Sequence, residues 1–306
     1  MGCNECNKQP AITIRPSTKT KLCKRCFIQS IEDQVHTTIQ ETDMFKDVKT
    51  LVVGVSGGKD STVLAHILNI LNKRHCYNLD LRLLCIDEGI SGYRDKSIEV
   101  VHINEKDLSI PLKIMSYNDI YGYTMDAVVT KIGRKNNCTY CGVFRRGALE
   151  DGAKLLKGDM IATGHNADDI AETILLNYLR GDMNRLVKCA HPITLTSSKE
   201  VIPRCKPLAG LYEKEIVMYA FYNNLPYFST ECKYSPGAFR GHVRTYIKAL
   251  EKINSQAILK IIKSGKCVQK NSYHMDSKAC EVCGKNCSGA EGVCKSCILL
   301  KSLSEI

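Results

Sequence analysis

The chain has 306 residues, with 43 Lys and Arg against 32 Asp and Glu, a formal charge of +11 and 17 cysteines. A hydrophobic share of 44% and a charged share of 25% describe a globular chain long enough for two domains and exclude a largely disordered one. No apolar run approaches the roughly 18 residues that cross a bilayer. The start lacks the apolar stretch of a secretory signal, and Cys6 stands where N-myristoylation wants Ser or Thr. The expectation is a cytoplasmic protein with no membrane association.

In a reducing compartment, so many cysteines point to metal or redox chemistry rather than disulfides. The positive charge suits a polyanionic partner without identifying it. Residues 1–34 open with Cys3-x2-Cys6, followed by Cys23-x2-Cys26. Two such knuckles fit a structural zinc site, since four thiolates around a tetrahedral ion leave no open position. Residues 35–265 read as one α/β unit that alternates strand and helix patterns, which predicts a parallel, doubly wound sheet with its ligand site at the carboxyl ends of the strands.

The first strand of that unit, 51–55, ends on Gly54 and Val55 and runs into Ser56-Gly57-Gly58-Lys59-Asp60-Ser61, after which a helix pattern covers 62–71. Glycines let backbone N–H groups approach an anion, the helix N-terminus adds its dipole, and Lys59 adds a charge. The loop is not a Walker A motif: Val53 occupies the first Gly position and Asp60 follows Lys59 where a magnesium-binding hydroxyl belongs. A second strand over 79–86 ends in Ile86-Asp87-Glu88-Gly89. A third strand covers 112–115, and helix patterns follow at about 118–132 and 143–156. Between them stands a lone pair, Cys138-Thr139-Tyr140-Cys141, with Arg145 and Arg146 just after it. By itself this pair reads as either a redox couple or inert thiols.

A fourth strand, 160–163, leads into Gly164-His165-Asn166-Ala167-Asp168-Asp169 and a helix at about 168–180. Two adjacent carboxylates beside a triphosphate suit Mg²⁺, and acidic residues in the first turn of a helix suit its dipole equally well. Residues 212–263 read as mainly helical. Lys233, Arg240, His242, Arg244, Lys248, Lys252, Lys260 and Lys263, interleaved with Tyr234, Phe239 and Tyr246, make a phosphate-and-stacking surface for RNA. Ser264-Gly265-Lys266 and Gln269-Lys270-Asn271-Ser272 read as a linker. Residues 266–306 hold a second zinc module, Cys280-x2-Cys283 and Cys294-x2-Cys297, with Cys287 a competing ligand inside the spacer.

Ser56 to Ser61 resembles the PP-loop of the N-type ATP pyrophosphatases, SGGxDS, which implies binding of the pyrophosphate end of ATP and attack on the α-phosphate. Ile86 and Asp87 then match the adenosine-holding segment, and Gly164 to Asp169 the GHxxDD loop. With Cys138-Thr139-Tyr140-Cys141-Gly142-Val143-Phe144-Arg145-Arg146 between these loops and a zinc module at each end, the chain resembles the tRNA 2-thiolation enzymes of the TtcA/TtuA group from end to end. It is most similar to the archaeal and eukaryotic cytosolic tRNA 2-thiouridine synthases (NcsA type).

The resemblance implies a 4Fe–4S cluster on Cys138, Cys141 and Cys232, with Cys76, Cys85, Cys189, Cys205 and Cys267 as ordinary residues. It implies ATP, Mg²⁺ and two Zn²⁺ as further cofactors. Lys59, Asp60, Asp168 and Asp169 then serve phosphates and Mg²⁺, and Arg145 the α-phosphate. The expected partners are tRNA, a second copy in a homodimer, and a sulfur donor that is either sulfide or a ubiquitin-like thiocarboxylated carrier. Sulfur delivered at an open iron and a persulfide on Cys138 or Cys141 both fit three cysteines. The expected target is wobble U34. The alternatives are U54 or C32, an ammonia-dependent adenylating synthetase, and a non-enzymatic metal- and nucleic-acid-binding regulator. Bound zinc and cluster thiolates bring the net charge down to about +6, so RNA affinity should rest on a local basic face.

Overall fold

The computed structural model describes residues 2–134, 136–194, 201–230, 232–236, 239–268, 278–287 and 292–305. An antiparallel hairpin of β1 (Thr13–Ile14) and β2 (Lys21–Leu22) precedes α1 (Lys24–Glu41). Then strands and helices alternate: β3 (Thr50–Val55), α2 (Lys59–Arg74), β4 (Asp80–Asp87), α3 (Arg94–Leu108) and β5 (Leu112–Ser116). Two short helices, α4 (Tyr117–Tyr121) and α5 (Met125–Ile132), lead to α6 (Asn137–Leu155), β6 (Met160–Ala162) and α7 (Ala167–Leu179). The order continues with α8 (Met183–Ala190), β7 (Ile193–Thr194), β8 (Arg204–Cys205), α9 (Glu213–Tyr222), α10 (Phe239–Ile253) and α11 (Ala257–Cys267). A second hairpin, β9 (Lys278–Ala279) with β10 (Asn286–Cys287), precedes α12 (Lys295–Ser304). No helix of the described residues is long and apolar enough to cross a membrane.

The main sheet has the strand order β5-β4-β3-β6-β8-β7, parallel except for β7. This is the expected doubly wound α/β class. Leu51, Val52 and Val53 are all fully buried because both faces of β3 are covered. Successive side chains alternate: Leu51, Val53 and Val55 join the core under α1, α2 and α9, while Val52, Leu84 and Ile161 join Tyr117 and Phe144 on the other face. A third core, with Ile170, Ile174, Leu186, Val243, Ile247 and Ile258, binds α7, α8, α10 and α11 together. The chain leaves β3 toward β4 on one side and later returns to β6 on the other. The carboxyl ends of β3 and β6 therefore flank the switch point where such folds bind ligands.

Three sequence expectations change. The helix over 118–132 is broken at Gly122, which takes a φ of +72°, and restarts after Thr124, whose hydroxyl accepts from Ala127 N at 3.1 Å. The helix expected from 143 begins at Asn137, so the lone cysteine pair sits in its first turn. Ser264-Gly265-Lys266 is no linker: it lies within α11, where a Cβ on Gly265 would come 2.7 Å from Ile174 Cδ1. Residues 269–272 lie outside the described residues. The expected boundary at 34/35 falls inside α1 and that at 265/266 inside α11.

Candidate active site and metal centres

The loop between β3 and α2 keeps its shape through its own residues. Ser61 Oγ accepts from Ser56 N at 3.1 Å and donates to Gly58 O at 3.0 Å. Gly57 has a φ of +71°, and a Cβ there would lie 2.4 Å from Ser97 O. Only glycine fits that backbone and that approach. Gly164, in the loop after β6, is also tightly placed: its Cβ would lie 3.0 Å from Ser61 N. The two loops thus interlock without side chains between them. Together they wall a cleft of about 330 Å³ lined by Gly54, Val55, Ser56, Asp60, Ser61, Ile86, Asp87 and Gly164. The N-terminus of α2 opens onto it, as an anion site requires. Asp87 is buried, its Oδ1 accepting from Gly89 N at 2.8 Å and its Oδ2 paired with Arg94 at 3.1 Å.

Lys59 does not line this cleft. Its Nζ stands 3.1 Å from Asp60 Oδ2 and 3.0 Å from Glu213 Oε1, facing a second hollow of about 250 Å³ with Gly58, Asn166, Tyr227 and Phe228. Glu213, at the start of α9, belongs to no motif and is legible only in three dimensions.

The paired carboxylates after β6 diverge. Asp169 lines both hollows beside Asp60, and burial pushes both carboxyls above their ordinary value. Asn166 ties them together, donating to Asp60 Oδ1 at 2.9 Å and accepting from Asp169 N at 3.0 Å. A divalent cation between Asp60 and Asp169 would relieve that shared charge. Asp168 turns away. It is buried, its Oδ1 is 2.5 Å from Lys248 Nζ, and its Oδ2 accepts from Glu213 N at 2.8 Å. Asp168 therefore also holds α9 and α10 against α7, because residues adjacent on a helix point about 100° apart.

Arg145 lines the cleft and Arg146 does not. Arg145 Nη2 is 2.7 Å from Glu88 Oε1 and 3.5 Å from Cys141 Sγ. The Glu88 carboxylate is the main reason its guanidinium is held even more basic than usual. Tyr93 and Arg94, which belong to no motif, also line the cleft, with Glu88 and His165 from the quoted loops, Arg240 from the expected RNA surface and Cys85, first read as an ordinary thiol. His165 Nδ1 meets Thr163 Oγ1 at 2.8 Å, and Arg240 pairs with Asp169 at 3.0 Å.

Cys138 and Cys141 occupy one face of the first turn of α6, and Arg145 follows one turn on. Cys232 reaches them from a segment fastened by its neighbours: Tyr234 Oη donates to Asp126 Oδ1 at 2.7 Å, and Lys233 Nζ stands 3.1 Å from the same carboxylate. Against partial burial, the Ser91, Tyr234 and Lys233 donors hold Asp126 well below the usual carboxylate range. Burial first, and then the proximity of Cys232, push the Cys138 thiol up; burial and Cys232 also raise Cys141. Two thiols that resist ionising, with Cys232 beside them, suit a cationic iron–sulfur core.

Each terminal group brings its four sulfurs within 4.8 Å of one another. Cys6 and Cys23 are 4.0 Å apart, and Cys283 and Cys294 are 3.6 Å apart. A tetrahedron with ~2.3 Å zinc–sulfur bonds needs about 3.8 Å. Backbone N–H groups, that of Cys6 foremost, draw Cys3 down to about 6, and that of Cys294 does the same for Cys280. In the first group Cys26 is pushed up to about 12, by burial and then by Cys23, so four thiolates need a cation to coexist. Both donor sets fit zinc. Cys280, Cys283, Cys294 and Cys297 form the second set, while the side chain of Cys287 lies outside the described residues. The second module braces α6: Leu299 and Leu303 pack into the core around Tyr117 and Phe144, and Tyr140 Oη meets Ser302 Oγ at 2.8 Å.

The basic face expected over 233–263 is only partly free. Lys233, Arg240, Arg244 and Lys248 are paired with Asp126, Asp169, Glu172 and Asp168. The last three lie where α10 packs on the acidic first turns of α7, while Lys233 precedes α10 and meets Asp126 of α5. His242, Lys252, Lys260 and Lys263, with Phe239 and Tyr246, face solvent.

A family model described as the PP-loop domain matches residues 28–250. Cytoplasmic tRNA 2-thiolation protein 1 of Danio rerio is 50% identical over 304 residues, covering 99% of this chain and 88% of that protein. Its counterpart in Oryza sativa subsp. japonica is 53% identical over 304 residues, covering 99% and 83%. Among solved structures, the U34-tRNA thiolase NcsA from Methanococcus maripaludis with its 4Fe–4S cluster superposes with a TM-score of 0.84 at 31% identity, covering 99% of this chain and 96% of that one.

Proposed function

The chain belongs to the PP-loop family, among the cytoplasmic tRNA 2-thiolation proteins, and from that premise we propose how its cleft and cysteines divide the work. It is a cytoplasmic, ATP-dependent tRNA-uridine 2-sulfurtransferase whose target is the wobble uridine U34. The observation that carries the mechanism is α6, which presents Cys138 and Cys141 on its first turn and Arg145 in the nucleotide cleft one turn later.

The C2 oxygen of uracil is a poor leaving group. It attacks the α-phosphorus of ATP, the bond to the bridging oxygen breaks, and pyrophosphate departs. Backbone N–H groups of residues 57–61 and the start of α2 hold the phosphates. Asp60 and Asp169 would hold Mg²⁺, which would supply countercharge to the phosphates. Arg145 stabilises charge at the α-phosphate, while Ile86 and Asp87 border the adenosine. Cys138, Cys141 and Cys232 would hold a 4Fe–4S core, which would supply an iron site for hydrosulfide. Hydrosulfide then forms the bond to C2, the C2–O bond breaks, AMP leaves with both bonding electrons, and the sulfur loses its proton. A target uridine reaches the cleft only when unstacked, which an anticodon loop allows. The solvent-facing side of α10 is the RNA surface. Zinc on each terminal group, sulfide or a ubiquitin-like thiocarboxylated carrier as donor, a homodimer, and the division into 1–34, 35–265 and 266–306 complete the reading.

Anaerobic purification should yield about four iron and about two zinc per chain. The loaded protein should place 2-thiouridine at position 34 of unmodified tRNA, read by nuclease mapping and mass spectrometry, with stoichiometric AMP. Thiolation at 54 or 32 would move the target. ATP turnover with small acids and ammonia but not tRNA would replace the reaction.

A further inference from the structure

The corner where α7 meets α8 is exposed in a way its packing does not explain. The inner face of α7 is core, yet Tyr178 is 66% exposed, Leu179 62% and Met183 45%. Arg180 and Arg185 stand among them, Arg185 paired, among the described residues, only with Asp182 in its own turn at 3.2 Å. On the neighbouring wall, Arg146 has no carboxylate within ion-pair distance among the described residues. Arg204 Nη2 donates to the Arg146 carbonyl at 2.8 Å, and its only acid among the described residues is Glu150, at 3.5 Å. Burial first, then the charges of Arg204 and Arg185, make the Arg146 guanidinium less basic than usual, so these three cations lie close enough to repel. Gathering like charges costs folding energy that a polyanion returns. Arg146 also follows directly on Arg145 in the cleft, and Arg204 and Lys206 extend the positive field to His165 at the mouth.

We propose that Tyr178 and Arg185 on this corner, with Arg146 and Arg204 on the facing wall, grip the single-stranded loop of the RNA substrate, phosphates on the arginines and one base stacked on Tyr178. This rests on the RNA-thiolating reading above. A protein partner would need acidic complements but not a stacking platform. RNA supplies phosphates and flat bases at once, and the flanking nucleotides of a base entering the cleft must pass this mouth.

The test titrates the full-length protein with unmodified tRNA across a salt series. Tyr178→Ala should weaken binding about ten-fold or more while Tyr178→Phe preserves it. Arg146→Ala with Arg185→Ala should lower the slope of log Kd against log salt by about 1 to 2. ATP binding and zinc content should stay unchanged. Tyr178 and Arg185 are exposed, so their single variants keep the test valid if Arg146→Ala does not fold. Wild-type affinity and slope in every variant, with tRNA still bound and thiolated by the parent, would overturn this surface and leave the reaction standing. Failure of the parent itself to bind tRNA would overturn the reaction and the surface together. Variants that lose a co-purifying protein but not tRNA affinity would make the corner a protein interface and end the proposal.

Discussion

Cys141 and Arg145 stand one turn apart on α6, with Arg145 Nη2 donating to Cys141 Sγ at 3.5 Å. The same nitrogen is held by Glu88 at 2.7 Å in the nucleotide cleft. One side chain thus touches both a cysteine proposed to hold the cluster and the cleft proposed for ATP, which would tie the two proposed half-reactions to a single helix.

Replacing Arg145 tests that link. Arg145→Ala should retain iron, because the three cysteines remain, and should slow AMP formation about 10²-fold, the loss expected for one preorganised charge on a phosphoryl transition state. Arg145→Lys should recover part of it. Iron analysis beside single-turnover kinetics reads both, and an Arg145→Ala protein at full speed would remove the residue from the chemistry.

The two adjacent carboxylates of α7 should separate cleanly. Asp168→Asn removes the charge from a buried group that holds Lys248 and the Glu213 N–H, and should cost about 3 kcal/mol in urea unfolding. Asp169→Asn should cost less stability, since Arg240 keeps Glu172, and should raise the magnesium concentration needed for ATP turnover. The reverse pattern would exchange the roles.

Loss of either zinc should have unequal consequences. The C-terminal module packs Leu299 and Leu303 against the helix that carries Cys138 and Cys141. The N-terminal module instead fastens through Arg15 and Glu215, 3.1 Å apart, near α9. Cys280→Ser should therefore lower iron as well as zinc, while Cys3→Ser lowers zinc with iron retained. Equal iron in the two purified variants would refute the bracing role.

Acid should reach stability through His165. Desolvation in the cleft walls, then the charges of Lys206, Arg240 and Arg204, push its imidazole down to about 4, against about 6.5 in an unfolded chain. Between those values the unfolded chain binds the extra proton, so stability rises with pH there. The contribution is complete above about pH 6.5 and is lost as pH falls toward 4. Urea midpoints from pH 4.5 to 7 should fall more steeply on acidification for the parent than for His165→Gln. Parallel curves would contradict this.

Much of the site was legible in the one-dimensional record, because its signals are local. Ser56 to Ser61 between a strand and a helix reads as an anion cradle since glycine backbone and helix dipole act over a few residues, and the knuckle spacing of Cys3 to Cys26 and of Cys280 to Cys297 is the spacing the metal geometry demands. Alternating apolar runs likewise implied the parallel sheet and its ligand-binding edge. What only the tertiary structure decided is which neighbour each charge meets. Asp168 and Asp169 are indistinguishable as letters, yet the rotation of α7 against α10 sends one to Lys248 and the other to the cleft. Arg240, Arg244 and Lys248 look like free RNA contacts until α10 docks on the acidic turns of α7, and the arginines gathered around Arg146 come from three separate elements. Ion pairing and burial depend on distances through space, and these arise only when the helices pack.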